Sequence, residues 1–154
     1  MKRFHGFLLA LVLIFSVSTA LAAQRVECSI GGFSVSLPDK FVEEACFGDP
    51  DLCFYWHGDM LHVRAYSEFT GEVALSDLFD VLTGYETDYG RTVINGMEMN
   101  YVRTEENGSI CITYTWMDRG NQVTMEFSYD ADDESAVQRA RNSIINSISF
   151  DAGH

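Results

Sequence analysis

Four cysteines, Cys28, Cys46, Cys53 and Cys111, are the residues in this chain with the most chemistry to offer. A thiol can ligate zinc, attack an electrophile or join a second thiol, and spacing separates these roles. Structural zinc sites use C-x₂-C or paired-histidine spacing, which is absent here. An even number of cysteines in an oxidising compartment implies disulfides, with three connectivities open to four cysteines. The run Cys46-Phe-Gly-Asp-Pro-Asp-Leu-Cys53 is rich in turn residues, so its ends can meet. A Cys46–Cys53 bridge is therefore expected, leaving Cys28–Cys111 as the second.

The other reactive residue types form no recognisable set. His57 and His62 flank a hairpin, but a turn at Gly58-Asp59 gives them different parities, so they are not expected to share a ligand. Asp130-Ala-Asp-Asp-Glu134 lacks the glycine and the distal glutamate of an EF-hand and reads as helix capping through Asp132 or Asp133. There is no G-x-S-x-G and no H-E-x-x-H. Gly31-Gly32 precedes a strand rather than opening a helix, so it is no phosphate loop. Asn107-Gly-Ser109 matches a glycosylation sequon. No catalytic residue, metal site or cofactor is expected.

Elements must position whatever does act. Gly32 to Pro38 alternates apolar and polar residues and stops at a proline, as a strand does. Cys53–His57 and Met60–Tyr66 are aromatic and β-branched runs that make a hairpin. Leu75, Leu78, Phe79 and Leu82 then recur at helical spacing. Asn95-Gly96 links a strand at Val93-Ile94 to another from Met97 to Arg103. Strands from Ser109 to Met117 and from Gln122 to Tyr129 follow across polar turns. Val137, Ala140, Ile144 and Ile148 form the apolar stripe of a closing helix.

Alternation assigns two faces to the second set of strands. Met97, Met99, Tyr101, Ile110, Ile112, Tyr114, Trp116, Val123, Met125 and Phe127 form a core face that the closing helix can cover. Glu98, Asn100, Val102, Cys111, Thr113, Thr115, Thr124, Glu126 and Ser128 form a polar face. If a ligand is bound, Glu98, Thr113 and Glu126 are the residues expected to meet it.

Residues 1–22 read as a cleavable signal peptide. Lys2-Arg3 is a basic n-region, an apolar run of 11 residues follows from Phe7 to Val17, and Ala20-Leu-Ala22 fits the small-x-small cleavage pattern. The run is too short to span a bilayer, which takes about 20 residues. The expected product is a single secreted or cell-envelope domain over residues 23–154, without a membrane span and a monomer or weak dimer. The chain carries a formal charge of −13, and loss of Lys2 and Arg3 takes it to −15. Such a field disfavours nucleic acid and favours a basic protein or a cationic ligand.

Three phrases carry a family resemblance. Gly32-Phe-Ser-Val-Ser-Leu-Pro38, Val93-Ile-Asn-Gly-Met97 and Ile144-Ile-Asn-Ser-Ile-Ser-Phe150 resemble the PsbP-like superfamily, over roughly residues 30–150. It includes a photosystem II extrinsic protein, a eukaryotic Ran-binding factor and exported bacterial proteins. The resemblance implies an α+β fold, an α/β/α sandwich around an antiparallel sheet, and a non-enzymatic binding or accessory role. None of the family's functional residues can be matched to positions here, and four cysteines are not part of its pattern. The alternative is a secreted hydrolase or metal-dependent module with an unrecognised site.

Overall fold

A computed structural model describes residues 23–28, 31–43, 52–58, 60–69, 71, 74–75 and 88–150, with the backbone alone at 52–55. The elements run β1 (Ala23–Cys28), β2 (Phe33–Pro38), β3 (Val42–Glu43), β4 (Leu52–Gly58), β5 (Leu61–Phe69), β6 (Asp88–Ile94), β7 (Met97–Glu106), β8 (Ser109–Asp118) and β9 (Asn121–Asp130). A 3₁₀ turn (Ala131–Asp133), helix α1 (Glu134–Asn146) and β10 (Ser149–Phe150) close the chain. Two antiparallel sheets result: β1-β2-β10, and a seven-stranded sheet in the order β3-β4-β5-β9-β8-β7-β6.

Asparagine or arginine followed by glycine sets the hairpins of the larger sheet. Asn95-Gly96, Asn107-Gly108 and Arg119-Gly120 have φ of 49° and 88°, 52° and 81°, and 50° and 81°. Two consecutive residues of positive φ match the twist of the flanking strands. These short links tie β6 to β7, β7 to β8 and β8 to β9 in register.

That register separates the two faces as the alternation requires. Met99, Ile110, Ile112, Trp116, Val123, Met125 and Phe127 are buried on one side. The β1-β2-β10 sheet and α1 cover this side together. Phe33 and Phe150 meet Trp116 edge-on, with centroids 5.1 and 5.8 Å away, while Val137, Ile144, Ile145 and Ile148 complete the same core. Each large side chain so buried contributes about 1.5–3 kcal/mol. The joint at Gly31 is tight: φ is +102° and an added Cβ would lie 2.9 Å from Val123. Ser147 clamps the helix end to β2, its hydroxyl accepting from Ser36 N–H at 2.8 Å and donating to Ile144 O at 2.7 Å.

Several expectations need correction. The β4–β5 link is Asp59-Met60 rather than Gly58-Asp59, because Gly58 pairs with Leu61 and His57 with His62. His57 and His62 are direct cross-strand partners and share a face. A two-residue link keeps them on one face in either position, since moving it by one changes each partner by two, so the different parities expected for them do not hold. Asp133 does stand at the α1 N-cap, but its side chain makes no capping hydrogen bond. Finally, β1, β3 and β10 are strands that the sequence does not predict, and Ile148, expected on the closing helix, lies beyond its end at Asn146. The signal segment and the helix expected beyond Leu75 lie outside the described residues. No helix among those described is long and apolar enough to cross a membrane.

Candidate functional site on the polar side of the sheet

Pairing in β5, β9, β8 and β7 places the polar side chains in rows across the seven-stranded sheet. One row runs His62, Ser128, Cys111 and Thr104; the next runs Arg64, Glu126, Thr113 and Val102; a third runs Tyr66, Thr124, Thr115 and Asn100. Thr113 and Glu126 are therefore direct cross-strand partners. Glu98 lies apart, four residues along β7 from Val102, or about 13 Å at about 3.3 Å per residue. It is exposed and paired with Arg91 on β6 at 3.7 Å. The structure brings two of the three expected ligand residues together and leaves the third at the sheet's edge.

The centre of this face is already charge-balanced. Arg64 donates to Glu126 at 2.8 Å, and the glutamate side chain is 13% exposed. Arg64 also lies over the Tyr66 ring, 5.2 Å from its centroid. The sequence signal for this pair was available, since Arg64 and Glu126 both occupy polar positions of alternating strands, but which strands would be neighbours was not. In the third row Thr115 and Thr124 share a hydrogen bond of 3.2 Å, and Thr124 and Asn100 are buried. The Asn100 amide donates to Leu75 O at 3.0 Å, so the chain crosses the face at this end.

Cys111 sits in the first row, next to Glu126. Burial, and then the nearby carboxylate, push its thiol up to about 11. A thiol held this far above neutrality is a poor nucleophile and a poor metal ligand, because both roles need the thiolate. Cys111 is free, whereas Cys28 is disulfide-bonded, so the expected Cys28–Cys111 bridge is not made. The reason is geometric. Cys28 is buried in the core on the β1-β2-β10 side, and Cys111 projects from the opposite side of β8 to its core neighbours Ile110 and Ile112. The partner of Cys28 and the side chains of Cys46 and Cys53 lie outside the described residues. With Cys28 bonded and Cys111 free, the expected pair of bridges, Cys46–Cys53 with Cys28–Cys111, does not hold as a set.

His57 and His62 stack, with centroids 6.0 Å apart. No group of three or more metal-ligating side chains forms among the described residues. Near this pair the polar face opens into a cavity of about 290 Å³, lined by Met60, His62, Ser109, Ser128, Tyr129, Asp130 and Asp133. On the opposite flank of the sheet Tyr129 is held by Arg141, which donates to its hydroxyl at 2.6 Å. Burial raises the pKa of Tyr101, Tyr114 and Tyr129 above the ordinary tyrosine value. All three rings thus remain neutral donors.

This architecture has known counterparts. The cyanobacterial PsbP protein CyanoP from Synechocystis sp. PCC 6803 superposes with a TM-score of 0.63 over 88% of this chain and 96% of its own, at 11% identity. The fold is PsbP-like. The Saccharomyces cerevisiae Ran-binding protein Mog1p is similar over 85% of this chain and 96% of its own, with a TM-score of 0.56 and 9% identity. LpqN, involved in cell envelope biogenesis of Mycobacterium tuberculosis, has a TM-score of 0.54 over 85% of this chain and 91% of its own, at 12% identity. No protein-family model and no curated relative matches the sequence. At these identities the PsbP-like likeness concerns the fold alone.

Proposed function

We propose that the protein is an exported, non-enzymatic binding or accessory module for a net basic partner, contacted by the polar side of the seven-stranded sheet with Glu98, Thr113 and Glu126 on it. The observation that carries this reading is the Arg64–Glu126 pair at 2.8 Å beside a thiol pushed to about 11. The groups best placed to react on this face are held in unreactive forms, a paired carboxylate and a neutral thiol. The arrangement is suited to hydrogen bonding and charge complementarity. The formal charge of −13 supplies the long-range attraction to a cationic surface. Two of the similar structures bear names that place them in binding or envelope roles, which agrees with this reading.

The test is site-specific photo-crosslinking in the native host, with the reactive group at Glu98 or Thr113 and a control on the exposed outer face of α1 at Ser143. Adducts at the two sheet positions, absent at Ser143 and enriched in basic proteins, are the expected outcome. They should weaken with salt, because the Debye length falls from about 30 Å at 0.01 M to about 3 Å at 1 M. Identical adducts at all three positions, or turnover of ester, peptide or glycoside substrates by the purified protein, would overturn the proposal.

A further inference from the structure

At the end of the molecule where the β4–β5 hairpin meets the start of α1, Met60 stands between two cavities of opposite character. One holds about 90 Å³ and is lined by Lys40, Phe41, Gly58, Met60, Leu61, Ala136, Val137 and Ala140. The other is the polar basin of about 290 Å³ around His62, Ser128, Asp130 and Asp133. Met60 is 49% exposed at the ridge they share, and Val42 of the adjacent β3 is 57% exposed.

Each half selects a different chemical group. The apolar hole is built to keep its shape: Gln24 Nε2 donates to Phe41 O at 2.8 Å, Phe41 N–H donates to Pro38 O at 2.9 Å, and a Cβ added at Gly58 would lie 2.9 Å from the Phe41 ring. It is smaller than the roughly 150 Å³ apolar cavity that takes benzene, so it fits a branched aliphatic group of about four carbons. In the basin, charge decides. Glu126 and Glu98 are paired with Arg64 and Arg91, and Glu134 shares Arg103 with Glu105. Asp130 and Asp133 enter no ion pair among the described residues, so the two carboxylates lining the basin lack a protein counter-charge there.

We infer that this double cavity is a docking site for a basic peptide segment, taking an aliphatic side chain into the Phe41–Val137 hole and the neighbouring arginine or lysine into the basin of Asp130 and Asp133. The inference rests on the binding role proposed above and places its anchor at the Met60 ridge rather than at the centre of the sheet. A guanidinium can reach Asp130 and Asp133 while its methylene stem lies along Met60. The acidic chain brings such a segment in, and the hole fixes its register.

The probe is N-acetyl-leucyl-arginine amide, titrated into the isotope-labelled exported protein and followed by amide chemical shifts. Saturable shifts at Met60, His62, Ala136 and Asp133 are expected. Replacing leucine by alanine in the probe should raise the dissociation constant about tenfold, from the loss of buried methylenes. Replacing arginine by glutamate should abolish the shifts. Asp133→Asn should weaken the arginine probe severalfold and leave N-acetyl-leucine amide unchanged, while Ala136→Phe should remove the preference for leucine over alanine. An unshifted Met60 ridge throughout the millimolar range, or equal binding of the glutamate probe, would overturn the site. If the crosslinks at Glu98 and Thr113 persisted in that case, the binding role would stand and only this location would fall. Loss of both would end both.

Discussion

The two sides of the seven-stranded sheet are built from alternate residues of the same strands and are held by different forces. On the inner side Ile110, Ile112, Trp116, Met125 and Phe127 are at most 1% exposed, and packing against β2, β10 and α1 is the whole of their interaction. On the outer side Cys111, Thr113 and Glu126 are partly exposed, and their neighbours are an arginine, hydroxyls and a tyrosine. The inner side can therefore change only by losing packing. The outer side can exchange one polar partner for another at small cost, as the proposed binding role requires.

The sharpest way to break this comparison is at Trp116. Trp116→Ala should cost about 3–5 kcal/mol, the usual range for removing a buried aromatic, measured as the shift of the denaturant midpoint at constant slope. Trp116→Phe should cost clearly less. The indole N–H has no hydrogen-bond partner among the described residues, so phenylalanine loses volume but no polar contact. A cost below about 1 kcal/mol for the alanine variant would mean that the inner side is not the core.

The cysteines repeat the contrast with a smaller effect. Cys28 is bonded on the inner side and Cys111 is free on the outer. Cys28→Ser should cost about 2–4 kcal/mol through loss of the cross-link. Cys111→Ser should stay within about 1 kcal/mol, since it exchanges one half-buried polar group for another. Peptide mapping without reductant should recover the Cys28 peptide in a disulfide and the Cys111 peptide alkylated. An alkylated Cys28, or a Cys28–Cys111 peptide, would reverse the assignment.

How much of this was legible beforehand follows from which interactions are local. The Asn95-Gly96 link, the alternation of β7 to β9 and the helical positions Val137, Ala140 and Ile144 depend on residues close in sequence, and they stand as read. The turn expected over Glu105–Gly108 shortens to Asn107-Gly108 because β7 runs on to Glu106. The failures are at longer range or at a single residue. A two-residue link keeps His57 and His62 on one face whether it falls at Gly58-Asp59 or one position later, so the face they share was legible from the link length, and only their direct pairing needed the register itself. Cys28–Cys111 looked reasonable as a remainder, but chain spacing does not say on which side of a sheet a sulfur emerges. Ala23–Cys28 went unread as a strand because only its last residue is fully buried, so it carries little hydrophobic pattern. The double cavity at Met60 joins β2–β3, β4–β5, β9 and α1, which makes it a product of topology with no signature in the sequence.

The finest test separates two glutamates on the same polar side. Glu126 is nearly enclosed and paired with Arg64 at 2.8 Å, whereas Glu98 is exposed and pairs more loosely with Arg91 at 3.7 Å. Glu126→Gln should cost about 1 kcal/mol and Glu98→Gln less than about 0.5 kcal/mol. The Cys111 thiol reports the difference directly. Its pKa is raised from 9.0 to about 11, first by burial and then by the Glu126 charge and its hydrogen bond. Because the folded state favours the protonated thiol, the stability tied to it is complete below pH 9 and is lost as pH rises toward 11. Removing the Glu126 charge should lower that pKa, while burial keeps it above 9. Site-resolved alkylation rates across this pH range should therefore show earlier reactivity of Cys111 in Glu126→Gln and an unchanged profile in Glu98→Gln. Equal profiles in both variants would mean that Glu126 does not act on the thiol, and the outer face would lose the coupling that sets it apart from ordinary solvated surface.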